Sequence, residues 1–583
     1  MTLLLEKTFP RTVDRLPALL LEKQAKTAEL WLFDDRESRE DLQAALAAKG
    51  INARVHSSFK PLVHFFLEDI DRHGLASVAI TYPVHEAAPE QRFLLEAYPL
   101  AEILKPAEIS LTPSAKGQDL HYSVSLTWQD GRQESHKVLA PNHLHEDCIG
   151  EDALSPSGWI EWEDGSQERL ETDYEQLFNA VLTSIKSHDW GHTEPYFGEL
   201  NITAQLPARD EWLAMKPVDA IISLRESLHE DFYFSLLEIF QQKSGRPVGD
   251  RGLMPGQIVP EILQGSKDAA LYVKVETRPL TASETEADDT EPVEMLSTPF
   301  TAARIRRELA TIKGEPFEAT SRAGRSVCAR YHKGDNGGLE RPVIISGGQH
   351  ANEVTGAAGA MRAGLELARR SNAHFVISPL ENPDGYELGW RLRKDNPHHM
   401  HHAARYTAFG CDLEYRPADS PFETAIRFEA ERLSGAKLHV NLHGYPAHEW
   451  TRPLTGYVPR GFGMWTLPKG FFLIIRHHES WKKQAYSLIE QITERLAEDK
   501  ALLDYNAREI ALYSAHAGKP EWPIINGFPV MISVDDRHRV PVTLITEYPD
   551  ESIYGDDFIQ GHKSQMKVAV SAYDIWQNID FPS

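Results

Sequence analysis

Two residues of the kinds that bind catalytic metals stand three positions apart in the chain. His350 and Glu353 follow a short apolar run, 342–345, that predicts a buried strand, and they precede residues 355–370, which predict a helix. An imidazole and a carboxylate on such a loop can face one metal ion and provide two of the three protein ligands of a catalytic zinc. Because this short motif also occurs by chance, the rest of the chain decides its meaning.

Three further apolar runs in the second half of the chain predict strands, at residues 374–380, 437–442 and 541–546. Helices are predicted between the strands, at residues 355–370, 421–433 and 480–495. Ligands of open α/β sheets gather at the carboxyl ends of strands, so the polar residues that follow these runs are expected to meet. They include two imidazoles, two carboxylates and an arginine, a set suited to hydrolysis by metal-activated water.

In type and order, these motifs resemble the zinc carboxypeptidases of the carboxypeptidase A type. The resemblance covers roughly residues 300–573 and includes the Gly-Arg segment at residues 324–325. Its specific motifs are His-x-x-Glu after a strand, Asn-Pro-Asp-Gly-Tyr at 382–386, Trp-Arg-Leu-Arg-Lys at 390–394 and Leu-His-Gly-Tyr at 442–445. The resemblance implies an α/β/α catalytic domain with a mixed central sheet.

The resemblance also implies a role for individual residues. One zinc ion is expected in the catalytic domain, bound by His350, Glu353 and His443. Glu547 is expected to be the general base that takes a proton from the attacking water and passes it to the leaving amine. Arg393 is expected to polarise the scissile carbonyl and stabilise the oxyanion.

Two of these assignments have alternatives in the sequence. Arg391 takes the oxyanion role if the alignment shifts by two residues. His439 shares a strand face with His443, because side chains alternate along a strand, and it is the weaker candidate for the third zinc ligand.

The segment expected to recognise the substrate departs from the family pattern. Family members hold the terminal carboxylate with an Asn-Arg pair, but residues 410–416 read Gly-Cys-Asp-Leu-Glu-Tyr-Arg, with Glu414 and Tyr415 at the pair's positions. Since like charges repel, Glu414 cannot hold a carboxylate. Either Arg416 binds it from one position later, or Glu414 attracts a substrate amine. The substrate-binding candidates are Glu414, Arg416 and Tyr445.

The sequence therefore predicts a zinc-dependent hydrolase of peptide or amide bonds, a carboxypeptidase with atypical recognition of the terminal residue. One alternative is an N-acyl amino acid deacylase of the aspartoacylase or succinylglutamate desuccinylase type, which the short spacing between His350 and His443 favours. Another is a zinc-binding scaffold without catalysis, which the carboxylate at Glu547 argues against. The histidine cluster at 398–402 is interpreted as pocket lining or surface.

Composition limits the domain organisation and the partners. We expect a small α/β region at 1–108, a β-rich or mixed accessory region at 109–280, an acidic linker at 281–299 and the catalytic domain at 300–583. With 61 basic and 86 acidic residues, the net charge of -25 disfavours nucleic acid and anionic membranes as partners. The expected partner is a peptide or acyl-amino-acid substrate, and the oligomeric state is left open.

The expected location is cytoplasmic. The N-terminal residues do not resemble a signal peptide, and the sequence contains no apolar run long enough for a transmembrane helix. Three widely spaced cysteines, Cys148, Cys328 and Cys411, suggest a reducing compartment.

Overall fold

The computed structural model describes residues 1–213, 215, 220–286, 290–417 and 420–582. Within these residues the chain forms one nine-stranded sheet, three four-stranded sheets and two two-stranded sheets. The predicted α/β fold class is confirmed, because helices and mixed sheets alternate along the chain.

The accessory region, residues 1–280, contains the first sixteen strands and seven helices. The strands are β1 (Thr2–Phe9), β2 (Thr27–Leu32), β3 (Asn52–Ser57), β4 (Leu75–Tyr82), β5 (Glu108–Pro113), β6 (His121–Trp128), β7 (Gln133–Leu139), β8 (Asn142–Glu146), β9 (Asp152–Pro156), β10 (Gly158–Trp162), β11 (Gln167–Leu170), β12 (Glu199–Leu206), β13 (Glu211–Leu213), β14 (Ala220–Ile222), β15 (Gln257–Gln264) and β16 (Leu271–Arg278). The helices are α1 (Thr12–Glu22), α2 (Arg36–Ala47), α3 (Pro61–His64), α4 (Arg92–Glu96), α5 (Leu100–Ile103), α6 (Asp173–Ser187) and α7 (Leu224–Lys243).

The accessory sheets join segments that are far apart in sequence. Their strand orders are β1-β16-β12-β15, β11-β10-β2-β3 and β5-β4-β6-β7. In each sheet, strands from before residue 108 pair with strands that start at or after it, as β1 does with β16 and β2 with β10. The structure thus does not separate residues 1–108 from 109–280 along a sheet edge, and that division stays a prediction.

Helix α7 connects the accessory region to the rest of the molecule. It begins at Leu224, shortly after strand β14 ends at Ile222. Ser223 caps it, because its side chain accepts a hydrogen bond from the backbone N–H of Glu226. Most of its residues are buried on every side, as is typical of a helix enclosed between two layers.

The C-terminal region contains the nine-stranded sheet and seven helices. The strands are β17 (Glu315–Thr320), β18 (Ser326–Lys333), β19 (Val343–Gly347), β20 (His374–Ser378), β21 (Leu438–Pro446), β22 (Phe472–His477), β23 (Ile524–Ile525), β24 (Phe528–Val534) and β25 (Val542–Glu551). The helices are α8 (Ala302–Leu309), α9 (Val354–Leu367), α10 (Pro383–Asp395), α11 (Ala425–Ser434), α12 (Lys482–Leu496), α13 (Lys500–Ala517) and α14 (Gly555–Trp576).

The four strands expected from the apolar runs lie next to one another in this sheet. The strand order is β17-β18-β20-β19-β21-β25-β22-β24-β23, and β20, β19, β21 and β25 run parallel. Val343 and Ile345 pack in the core that contains α9 and α14, whereas Ile344 packs with residues of α11 on the other face. Both faces are covered, which explains why these strands read as continuous apolar runs.

The predicted acidic linker is partly packed against the C-terminal region. Val293 and Leu296 are buried in its main core, and the backbone N–H and the hydroxyl of Thr285 donate to Glu387. Residues 287–289 of this segment lie outside the described residues. None of the helices in the described part of the chain has the length and apolar character needed to cross a bilayer.

Candidate active site

The two expected metal-binding segments start from adjacent parallel strands. The chain turns after β19 through Gly348, whose positive φ of 60° suits glycine, and carries His350 and Glu353 before α9 begins. His443 lies within β21, where it pairs in register with Glu547 of β25. Both strands extend beyond the lengths expected from sequence, so His443 and Glu547 lie inside strands and not at their ends.

A buried carboxylate connects the loop before α9 to the strand of Glu547. Asp550 accepts hydrogen bonds from the backbone N–H and the hydroxyl of Thr355, at 2.7 and 2.6 Å. Thr355 stands at the start of α9, where the helix dipole favours a negative charge. This contact fixes the loop of His350 and Glu353 relative to β25.

His350, Glu353 and His443 converge on one buried point. The Nδ1 atom of His350 lies 2.8 Å from Oε1 of Glu353, and Nδ1 of His443 lies 3.0 Å from Oε2. The two Nδ1 atoms are 2.9 Å apart, and one possible ligand atom from each residue lies within 4.8 Å of the others. Two imidazole nitrogens and a carboxylate oxygen are the donor set of a catalytic zinc site, so these residues fit the metal.

Neighbouring groups orient each of these side chains. Asp412 Oδ2 lies 3.3 Å from Nε2 of His350, on the ring edge that faces away from the cluster. The backbone N–H of Gly444 donates to Oε2 of Glu353 at 3.0 Å, and Arg405 donates to Oε1. Such outer contacts fix the tautomer and orientation of metal ligands.

The protonation states of Glu353 and His443 suit metal binding. Burial acts to raise the pKa of Glu353, but its electrostatic interactions with His350, Arg405 and His443 outweigh it and lower the pKa below its usual value. Burial lowers the pKa of His443 to about 4. At neutral pH Glu353 is thus ionised and His443 neutral, which are the forms that coordinate a metal.

Comparison with known protein families gives a match to part of the C-terminal region. Residues 318–417 match a family model described as zinc carboxypeptidase. The chain carries a zinc carboxypeptidase domain at residues 318–417. The matched segment contains His350, Glu353, Arg405 and Asp412. Together with the cluster of His350, Glu353 and His443, this match supports a zinc hydrolase.

Several solved structures are also similar to the chain. The metallo-carboxypeptidase from Burkholderia cenocepacia is 16% identical, with 53% of this chain and 73% of that one covered and a TM-score of 0.29. The metallo-carboxypeptidase from Pseudomonas aeruginosa, in complex with (2-guanidinoethylmercapto)succinic acid, is 13% identical over 54% and 76% of the two chains, with a TM-score of 0.31.

A third similar structure is the succinylglutamate desuccinylase/aspartoacylase from Rhodobacter sphaeroides, which is 11% identical over 46% and 68% of the two chains, with a TM-score of 0.28. No curated protein matches the chain.

Glu547 faces the same cavity as His350 and His443. The cavity has a volume of about 120 Å³, and its lining includes His350, His443 and Glu547. Burial and the negative charge of Glu353 raise the pKa of Glu547 well above that of an ordinary glutamate. A buried carboxyl group beside a metal-binding cluster is a candidate for proton transfer.

The expected oxyanion arginine of the zinc carboxypeptidase domain lies elsewhere. Arg393 borders a separate cavity of about 640 Å³, together with Arg391, and neither borders the cavity of His350 and Glu547. Arg391 is bound to Glu199 and Glu261 of the accessory region, at 3.0 and 2.8 Å. The oxyanion role expected for Arg393, or alternatively for Arg391, does not fit these positions, because α10 presents both side chains to the other cavity.

Arg405 occupies the position that Arg393 was expected to take. It borders the cavity of His350 and Glu547 and donates to Glu353. Sequence reasoning missed it because it follows the histidine cluster and belongs to no recognised motif. Its only signal was its place seven residues before Asp412 in the matched segment.

The three substrate-binding candidates have different surroundings. Glu414 borders the cavity, but its charge is paired with Arg476 at 2.7 Å and His538 at 2.8 Å, so attraction of a substrate amine does not fit. Arg416 is bound to Glu423 and Thr407 and does not border the cavity, so it cannot hold a carboxylate there. Tyr445 borders the cavity, with its hydroxyl bound to the carbonyl of Gly470.

The other histidines of interest have structural partners. His439 lies 2.7 Å from the Ser346 hydroxyl and does not border the cavity. His399 contacts Asp210, and His402 contacts Glu230 of α7 and borders the cavity. Of the 398–402 cluster, His402 thus lines the cavity, whereas His399 and His401 are buried and lie neither on this lining nor at the surface.

Proposed function

We propose that this chain is a zinc-dependent hydrolase of peptide or amide bonds, a carboxypeptidase with atypical recognition of the terminal residue. The observation that carries the proposal is the convergence of His350, Glu353 and His443 on one point, with Glu547 facing the same small cavity. Two imidazoles and a carboxylate complete the protein part of a catalytic zinc site. The additional carboxyl group distinguishes a catalytic arrangement from a purely structural metal site.

Zinc, when bound, activates water and polarises the scissile carbonyl as a Lewis acid. Glu547 takes a proton from the attacking water and then donates it to the amine that leaves. Its burial keeps competing water away from the two proton transfers.

Arg405 stabilises the negative charge that develops on the carbonyl oxygen. Its guanidinium is held beside the ligand cluster by its bond to Glu353, and the groups around it are buried. A cation held in place in this way loses little energy to rearrangement during the reaction. Asp412 keeps His350 oriented through Nε2, so that Nδ1 is presented to the metal.

The experiment is incubation of zinc-loaded protein with a mixed library of peptides and N-acyl amino acids, with products read by mass spectrometry. Release of C-terminal amino acids from peptides supports the proposal. Cleavage of acyl amino acids without cleavage of peptides replaces it with a deacylase. Bound zinc with no product from any library member leaves a non-catalytic scaffold.

A further inference from the structure

The accessory region forms part of the wall of the catalytic cavity. Its helix α7 is attached to the zinc carboxypeptidase domain by buried polar contacts: Arg225 donates to Asn396 at 2.6 Å, and Glu226 lies 2.8 Å from His448. These contacts place Phe234 of α7 and Arg251, from the loop after α7, on the lining of the cavity that contains His350 and Glu547. The cavity is therefore incomplete without the accessory region.

Three arginines border this cavity, and they differ in how their charge is neutralised. Arg405 is bound to Glu353, and Arg476 is bound to Glu414. Arg251 makes no ion pair with any residue that the structure describes. It is thus the one arginine on this lining, within the described part of the chain, whose charge is available to a bound anion.

Arg251 is also held at a defined position. Its Nη1 donates to the Tyr415 hydroxyl at 3.2 Å, and its guanidinium lies 4.9 Å from the centre of the Tyr415 ring. Tyr415 borders the same cavity and directly follows Glu414. A guanidinium that rests on an aromatic ring keeps several N–H donors free for a carboxylate, which it can bind with two parallel hydrogen bonds.

We propose that Arg251 binds the carboxylate of the substrate, so that the accessory region sets the specificity of the zinc carboxypeptidase domain. This inference rests on the proposed function. It assigns the recognition of a free carboxylate to a residue more than 90 positions before the metal-binding motif in sequence. Tyr415 acts as a positioning residue for Arg251.

The rest of the lining indicates what accompanies the carboxylate. Six aromatic residues besides Tyr445 border the cavity: Phe234, Tyr406, Tyr415, Trp450, Phe462 and Trp465. Ile474 and Ile545 add apolar surface. Such a lining binds apolar or ring-containing groups and strengthens a charged hydrogen bond by excluding water. The expected substrate therefore has an apolar or aromatic residue that carries a free carboxylate.

A second cavity gives access to this position. It has a volume of about 290 Å³ and shares with the catalytic cavity the lining residues Phe234, Arg251, Tyr406, Asp412 and Phe462. Arg251 thus stands where the two spaces meet and is exposed to solvent. From there it can contact an incoming carboxylate before the scissile bond reaches Glu547.

The test uses the full-length zinc-loaded protein with matched pairs of probes. N-acetyl-phenylalanine and its primary amide are titrated by calorimetry, and N-acyl dipeptides ending in phenylalanine are assayed as free acids and as amides. Arg251→Gln is expected to weaken binding of the free acid, and to raise its KM, by about 10- to 100-fold, since truncating one partner of a charge pair has such a cost. Binding of the amide is expected to stay unchanged.

Three further variants make the result specific. Arg251→Lys keeps the charge and is expected to recover part of the affinity for the free acid. Tyr415→Phe is expected to raise the KM of the free acid by a few-fold, because Arg251 loses one hydrogen bond. Arg132→Gln, at an exposed arginine paired with Glu134, is the matched control and leaves binding unchanged. Thermal unfolding of each variant shows whether it is folded.

Different failures point to different errors. If Arg251→Gln is folded, binds zinc and retains the wild-type preference for acid over amide, Arg251 is not the carboxylate-binding residue and the proposed function stands. If Arg251→Gln weakens binding of the free acid and binding of the amide equally, Arg251 only supports the shape of the cavity and the inference is wrong. If the wild type binds zinc but cleaves no probe, and binds neither acid nor amide, both proposals fail.

Discussion

The two ends of the catalytic cavity are built in different ways. At the metal end, His443 and Glu547 come from two neighbouring parallel strands, and His350 and Glu353 from the loop after a third. At the recognition end, Glu414 lies in a short 3-10 helix, Arg476 on β22 and Arg251 in the accessory region. The metal end keeps the whole set of residues that the resemblance implies, whereas the recognition end lacks the expected Asn-Arg pair.

This difference shows which part of such a site can change without loss of the chemistry. The metal end is fixed by strand register, because a shift of one residue would turn His443 or Glu547 to the opposite face of the sheet. The recognition end only needs a cation of the right reach at the right place. It can therefore be supplied from a loop, a strand or another part of the chain.

The largest expected effect is at the metal end. His443→Ala removes one of three ligands, so we expect loss of stoichiometric zinc and a fall of activity to background. Elemental mass spectrometry measures the zinc content, and the product assay measures hydrolysis. Full zinc occupancy together with wild-type activity would show that the cluster is not the metal site.

Arg405→Gln is expected to lower kcat by about 100- to 1,000-fold, the usual effect of removing one group that stabilises an oxyanion. Zinc content is expected to persist, because all three ligands are kept. Arg432→Gln, at an exposed arginine paired with Glu429, is the control. An unchanged kcat would show that a residue other than Arg405 stabilises the oxyanion.

Glu414→Gln tests whether the ion pairs of the recognition end are structural. Burial acts to raise the pKa of Glu414, but His538, Arg427 and Arg476 outweigh it and lower the pKa from 4.5 to about 2. A carboxyl group whose pKa is lowered on folding stabilises the fold above its unfolded pKa, by about 3 kcal/mol for a shift of this size. That contribution is lost as the pH falls through about 2.

Urea unfolding of wild type and Glu414→Gln measures this contribution. At pH 7 the variant is expected to be less stable, and the difference is expected to shrink between about pH 4.5 and pH 2 as Glu414 of the wild type is protonated. A difference that is the same at pH 7 and pH 3 would show that the loss comes from packing alone.

The smallest expected effect is that of Arg393→Gln. Because Arg393 borders a different cavity, kcat and KM are expected to change by less than about two-fold, a size typical of surface substitutions outside a site. Steady-state kinetics on the same peptide substrate measure it. A fall in kcat as large as that of Arg405→Gln would reverse our assignment of the two arginines.

The metal end was predictable from sequence, since His350, Glu353, His443 and Glu547 stand on or directly after apolar runs that predict strands. Adjacent parallel strands then bring them together, with His350 and Glu353 on the loop after one of these strands. The positions of Arg393 and Arg405 were not predictable in this way. One lies on a helix whose orientation depends on packing against Glu199 and Glu261, and the other lies in an irregular segment.

The recognition end was still less accessible to sequence reasoning. The replacement of the Asn-Arg pair by Glu414 and Tyr415 was visible, but the ion pairs that neutralise Glu414 join residues 62 and 124 positions apart. Arg251 reaches the cavity only because α7 is buried between the two regions. No local pattern encodes such a contact, so the predicted alternatives for Arg416 and Glu414 were both incompatible with the structure.

The central claim is that Glu547 acts on water at a zinc site formed by His350, Glu353 and His443. The most direct measurement compares zinc content and peptide hydrolysis in wild type, Glu547→Gln and the exposed control Glu479→Gln. We expect equal zinc in all three proteins, full activity in the control and a loss of about 100- to 10,000-fold in Glu547→Gln. Wild-type hydrolysis by a zinc-loaded Glu547→Gln variant would contradict the account.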